Sequence, residues 1–173
     1  MTRRWTGPGA AAILVLTELM PKIDPTSAPE GSGSRYPAPF DEPCKRRSWR
    51  KLGDAAGLTQ FGVNLLRLPP GTWSSQRHWH ALEDELVYVV EGEVVLVTDA
   101  GEQALGSGES AGFKAGLRDG HHFQNRSSFD AVLLVVGSRN DEDHGEYPDI
   151  DMVFTAGRYS AKGSYRRKDG TPY

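Results

Sequence analysis

The chain has 173 residues, a net charge of −3 and an isoelectric point near 5.9, a size that suits one domain with a core of its own. Without a basic excess there is no global field to recruit nucleic acid or an anionic membrane surface, and no stretch approaches the roughly 20 apolar residues that cross a bilayer. The single cysteine, Cys44, can form neither an internal disulfide nor a cysteine-rich zinc site, so a reduced, cytoplasmic setting is the default.

The N-terminal stretch "AAAILVL", residues 10–16, follows Arg3 and Arg4 and superficially resembles a secretory leader. No small-x-small cleavage site follows it, and an over-long start with Met20 as the alternative initiator is the simpler reading. Residues 1–47 read as an arm. Prolines at 21, 25, 29, 37, 39 and 43 forbid a regular helix there. The expectation is extended chain with one short edge strand, disordered near its start.

From Ser48 the pattern changes. "SWRKLG", "TQFGVNLLRL", "DELVYVV", "EVVLVTD", "SAGFKAG", "HHFQNRS" and "AVLLVVGS" are short runs rich in Val, Leu and Phe. Gly-, Pro- and Asp-containing turns separate them. Strands at this spacing predict an all-β barrel or sandwich over residues 48–140. "TDAGEQ" reads as a hairpin tip and "VEGE" as a tight reversal. No amphipathic helix of three turns is visible. Residues 141–173 form a C-terminal extension that packs on the barrel. Within it, "NDEDHGEYPDID" reads as a solvated acidic loop.

Histidines cluster. His78 and His80 are two residues apart, so on a strand they share a face while Trp79 takes the other. Glu85 follows a short turn. If "ELVYVV" is the returning antiparallel strand, Glu85 shares the interior with Val87 and Val89, while Leu86, Tyr88 and Val90 face out. A lone His-x-His is often just a solvated strand face. Here four of the five histidines lie in two clusters, the second being His121 and His122, and only His144 lies apart. Convergence on one metal ion explains that distribution.

The segment Gly71–Asn125 resembles the two-motif signature of the cupin superfamily. The first motif is Gly71, six residues, His78-Trp79-His80, four residues, Glu85, six residues, Gly92. The second is Gly108, five residues, Lys114-Ala115-Gly116, four residues, His121, three residues, Asn125. Lys114 stands where the family has proline, and two extra residues precede the histidine. The fourth ligand is thereby open between His121 and His122; the distance to Asn125 favours His121, with His122 turned to the other face.

The resemblance implies a single cupin barrel, a double-stranded β-helix or jelly roll. It also implies one divalent ion (Fe, Mn, Ni, Co or Zn) held by His78, His80, Glu85 and His121. Three neutral imidazoles and one carboxylate leave a residual charge of about +1 and open positions on an octahedral ion. That favours a small anionic ligand and metal-dependent isomerase or lyase chemistry on a sugar-like metabolite. A dioxygenase and a non-catalytic ligand-binding cupin are the alternatives. Cupins commonly dimerise, so a homodimer is expected. No general base stands out: Gln76 and Asn64 are inward candidates but not bases at neutral pH. Lys114 and Arg118 would hold an anionic group only if both turned inward, and Trp73 and Trp79 are more simply packing residues.

Overall fold

The computed structural model describes residues 22–160 and 163–173. The leader-like stretch, the alternative initiator and the expected disorder near the start fall outside these residues. Within the arm, Asp24 caps a 3-10 turn at Pro25–Ser27 by accepting from the Thr26 N–H. Strand β1 (Glu30–Ser32) then pairs antiparallel with β2 (Ser48–Lys51), so the arm does supply a short edge strand. One turn of helix, α1 (Leu52–Ala55), leads into β3 (Phe61–Leu68).

The remaining strands follow in chain order. They are β4 (Trp79–His80), β5 (Glu85–Glu91), β6 (Glu93–Thr98), β7 (Gly101–Gly106) and β8 (Ser110–Phe113). Then come β9 (His122–Gln124), β10 (Ala131–Ser138), β11 (Gly145–Tyr147), β12 (Met152–Phe154) and β13 (Tyr165–Arg166). A six-stranded sheet runs β1-β2-β3-β10-β5-β8, and a three-stranded sheet runs β7-β6-β9. The third sheet, β13-β12-β11-β4, ties the C-terminal extension to the first histidine motif.

The first two sheets enclose the main core. Leu66 and Leu68 of β3, Val87 and Val89 of β5, and Leu133 of β10 face Val94, Leu96 and Phe123 across the interior. Each such side chain stabilises the fold by about 1.5–3 kcal/mol relative to exposure. The alternation of β5 has the expected phase: Val87 and Val89 are buried, while Leu86, Tyr88 and Val90 are exposed. A second core joins arm to extension through Tyr36, Cys44, Tyr147, Met152 and Phe154. The functional cavity lies between the two cores.

Three local expectations are corrected. "VEGE" is not a hairpin: Gly92, at φ 80°, is the corner where the chain leaves the six-stranded sheet and enters the three-stranded one. A side chain there would also meet Asp130 O at 2.7 Å, so glycine is required twice over. Strand β5 pairs with β10 and β8, not with the His-x-His strand. The "TDAGEQ" hairpin forms, but its returning strand, "GEQALG", has no apolar alternation to mark it, because four of its six residues are solvent-facing and only Leu105 enters the core. The acidic run at 140–151 is not a solvated loop throughout, since it contains β11 and the fully buried Asp143.

Candidate metal centre

A backbone bridge brings the two histidine clusters together. His78 N donates to His121 O (3.2 Å) and His121 N donates to His78 O (2.9 Å). Partners that exchange both hydrogen bonds carry their side chains on the same face, and the two imidazole centroids are 5.0 Å apart. His80, two residues on, lies 4.9 Å from His78 by the same measure. Its strand is held by β11, where Gly145 sits opposite His80. A Cβ at Gly145 would fall 2.0 Å from Trp79 O and 2.5 Å from the Phe154 ring, so only glycine lets β11 approach.

Glu85 arrives from the start of β5. Its Oε2 is 3.8 Å from His80 Nε2 and its Oε1 is 3.9 Å from His121 Nε2. These separations are too long for hydrogen bonds and suit atoms sharing an ion at about 2.0–2.2 Å from each. Ligand atoms of His78, His80 and Glu85 all lie within 4.8 Å of one another.

The outer nitrogens are occupied in a way that frees the inner ones. His78 Nδ1 is 2.9 Å from Gln76 O, an acceptor, so Nδ1 carries the proton and Nε2 presents its lone pair. His80 Nδ1 is 2.7 Å from Asp143 Oδ2. Asp143 is itself fixed, since its Oδ1 accepts from Leu82 N at 2.8 Å. This is the carboxylate–histidine arrangement that orients metal ligands. His121 is stacked on Phe113 with ring centroids 3.5 Å apart, and neither of its buried nitrogens has a hydrogen-bond partner. A buried imidazole nitrogen with nothing to bind is costly, and an ion at Nε2 would remove that cost for this atom.

Electrostatics point the same way. Burial, reinforced by His80 and His121, holds His78 well below the usual histidine range. Burial, again with His80, pulls His121 down to about 3, against a smaller opposing effect of the Asp119 backbone. Both rings are therefore neutral, the form that ligates metal. Burial raises the Glu85 carboxyl, an effect that a bound cation reverses. Burial opposes ionisation of Asp143, but hydrogen bonds from His80 and Leu82 outweigh it and keep the carboxyl below its usual value.

His122 takes no part in the cluster. Its Nδ1 lies 2.9 Å from Ser75 O, its Nε2 2.9 Å from the Gln124 amide, and its ring meets Trp73 edge-on. The geometry therefore puts His121, not His122, beside Glu85. A second group, His80, Glu83 and Asp143, is also compact. Its carboxylates are already engaged: Glu83 accepts from Asn140 N, Tyr159 Oη and Arg158, and Arg158 reaches Asp143 at 3.4 Å. This network braces His80 from behind, and the sequence reading missed both Glu83 and Asp143. No fixed spacing links them to the histidines, so no motif signals them.

Two connected lobes, of about 690 Å³ and about 540 Å³, reach His78 and Glu85. Both are lined by Lys51, Asn64, Arg158 and Tyr159, so Asn64 does face the pocket. Gln76 does not serve there; its amide donates to Phe40 O at 2.6 Å. Lys114 lines a separate hollow of about 80 Å³ behind His80 and His121. Arg118 lies over the Trp79 ring. Neither cation lines the large lobes.

A jelly-roll enclosure with a cluster of three histidines and a glutamate facing an open cavity defines a class of small β-barrel proteins built around a candidate metal centre. The Cupin domain family matches residues 64–137. A sugar phosphate isomerase of the cupin superfamily from Silicibacter pomeroyi superposes with a TM-score of 0.84 at 44% identity, covering 88% of this chain and 96% of that one. The chain belongs to the cupin superfamily. A protein from Acidithiobacillus ferrooxidans, provisionally named a sugar phosphate isomerase, superposes at 0.67 with 27% identity over 74% of this chain and 80% of that one. The polyketide cyclase RemF from Streptomyces resistomycificus does so at 0.56 with 26% identity, over 69% and 80%. No curated protein matches the chain.

Proposed function

We propose that the protein is a metal-dependent isomerase acting on a small, anionic, sugar-like metabolite. The observation that carries this is the unpartnered, buried His121 ring beside Glu85, at the end of a cavity large enough for such a ligand. His78, His80, Glu85 and His121 would hold one divalent ion. Such an ion supplies Lewis-acid polarisation of a carbonyl or hydroxyl oxygen. The chain's own groups do the rest. Asn64 and Tyr159 present an amide and a hydroxyl to the ligand from the lobe walls. Leu66, Val87, Phe123 and Leu133 form an apolar wall of the cavity. Kinship with a structure named as a sugar phosphate isomerase supports the substrate class.

One observation favours a second reading, a non-catalytic ligand-binding cupin. Burial pushes the Tyr159 hydroxyl up to about 12, and the two depressed histidines stay neutral, so none of these groups exchanges protons near pH 7. The deciding experiment loads the protein with Mn, Fe, Co, Ni or Zn and follows a panel of aldose and ketose phosphates by NMR in D2O, with and without oxygen. Interconversion with deuterium uptake beside the carbonyl is expected, lost in His80→Ala and Glu85→Gln. Oxygen-dependent cleavage would identify a dioxygenase instead. Tight binding with no change in any compound would establish the binding protein.

Pairing with a second copy belongs to the same proposal. The outer face of the six-stranded sheet carries Val63, Leu65, Leu86, Tyr88, Val90 and Leu134 side by side across three strands. Leu86 and Val90 are 47% and 46% exposed, and apolar patches of this kind mark interaction surfaces.

A further inference from the structure

We infer that the wall of the large lobe carries an oxyanion subsite, with Arg35, Lys51 and Arg158 as its cations, that holds a phosphoryl group of the ligand. This deepens the functional reading above, because it takes the metal centre to be the reacting end of the same cavity.

The charge balance of the lobe is the first argument. Its lining includes Arg35, Arg47, Lys51 and Arg158, against one lining carboxylate, Glu85, with Glu83 and Asp143 behind the wall pairing Arg158. Arg47 spends its donors on the Gly33 and Ser74 carbonyls, so it contributes charge but few free hydrogen bonds. The other three keep donors available. Among the described residues Arg35 has no hydrogen bond and no acidic partner, yet it lines two adjoining cavities that Arg158 also lines. Lys51 has one distant partner, Asp54 at 3.7 Å, an exposed pair of little strength.

Arg158 is the best prepared of the three. Its polar contacts to Glu83, Tyr159 and Asp143 all run through Nη2. Nε is buried without a partner. Nη2 is thus clamped, while the buried Nε lacks an acceptor. A guanidinium held in this way loses little freedom on meeting an oxyanion, and its fork matches two oxygens of one group. Ser32 and Ser34 line the same lobe and add hydroxyl groups. Three cations with several hydroxyls suit a dianion with three terminal oxygens better than a lone carboxylate.

The placement assigns a role to the arm and the extension. Arg35 comes from the arm, Lys51 from β2 and Arg158 from the segment after β12, while the metal-ligand candidates come from the barrel. Two of the three cations, Arg35 and Arg158, are thus supplied from outside the barrel segment, and Lys51 from within it.

The test uses protein stripped of metal by a chelator and dialysed, so its readout is independent of the metal centre. Inorganic phosphate is titrated calorimetrically at low ionic strength into wild type, Arg35→Gln, Lys51→Gln and, as a control, Lys45→Gln. Each of the first two should bind phosphate about tenfold more weakly, with Lys45→Gln unchanged and all four retaining the wild-type metal capacity on reloading. Equal phosphate affinity in wild type and both variants overturns the subsite, as does a wild type that binds no phosphate. Acetate bound as tightly as phosphate, with the same dependence on Arg35 and Lys51, overturns the phosphoryl assignment in favour of a carboxylate. Absence of metal or of turnover sinks the isomerase reading without altering the phosphate titration.

Discussion

His78 and His121, 43 positions apart, are opposite members of one antiparallel backbone bridge, and their rings lie 5.0 Å from centroid to centroid. The bridge fixes which of the tandem histidines enters the cluster. Alternation sends the side chain of the next residue to the other face, where His122 meets Ser75 O and Trp73. His121→Ala should therefore abolish stoichiometric metal binding, while His122→Ala should retain it. The latter should still cost about 1–3 kcal/mol of stability from the lost packing and the unpaired Ser75 carbonyl. Elemental analysis of the two purified variants, with their denaturation midpoints, checks both halves. Metal retained by His121→Ala and lost by His122→Ala would reverse the assignment.

Asp143 gives a second prediction. It touches no ligand candidate except His80, yet it is completely buried and orients that ring. Asp143→Asn keeps the size and a hydrogen-bonding group but removes the charge that favours an Nδ1–H imidazole. Metal affinity should drop about 10–100-fold, measured by competition with a chromophoric chelator. An unchanged affinity would show that His80 needs no carboxylate behind it.

How visible this was in the sequence differs by element. The inward phase of His78, His80 and Glu85 was legible because a strand's period of two is strict, and Val87 and Val89 continue it into the core. Pairing was not legible: β5 joins β10, a partner that no local spacing specifies. Strand β7 was marked only by its hairpin tip, because a strand facing solvent along most of its length carries no apolar alternation. Asp143 and Glu83 escaped because their role is set by tertiary approach. A buried carboxylate within an acidic run looks like its solvated neighbours until β11 is seen to dock beside His80.

The apolar outer face yields a third prediction. A charge at Leu86 or Val90 faces away from the metal centre by alternation, so it should disturb association alone. Leu86→Lys combined with Val90→Glu should shift the sedimentation coefficient from that of a dimer to that of a monomer with metal content unchanged. A wild type that sediments as a monomer at micromolar concentration would remove the basis for this pairing.

The depressed histidines also set how the metal-free protein responds to acid. An unfolded chain protonates its histidines near pH 6.5. The fold refuses a proton at His121 until about pH 3, and at His78 until well below the usual value, because burial penalises the charged rings. The unfolded state therefore binds more protons as pH falls below about 6.5, and stability declines with it. The slope approaches about 1.4 kcal/mol per pH unit for His121, and His78 adds to it in the same sense. Glu85 works in the opposite sense: its raised carboxyl takes up a proton in the folded state first, which favours the fold as pH falls toward the ordinary carboxylate range. His122, also lowered by burial, and Asp143, whose depressed carboxyl favours the fold only while ionised, act in the same direction as His78 and His121; against them stands Glu85, and the histidine effect begins nearer neutrality, so the net is a loss. The melting temperature of metal-stripped protein should be flat from pH 8 to 7 and fall steadily from 6.5 to 5. His121→Phe should make the fall shallower. A melting temperature that stays level down to pH 5 would mean that these rings accept protons in the folded state, and the neutral-ligand account of the site would then have to be abandoned.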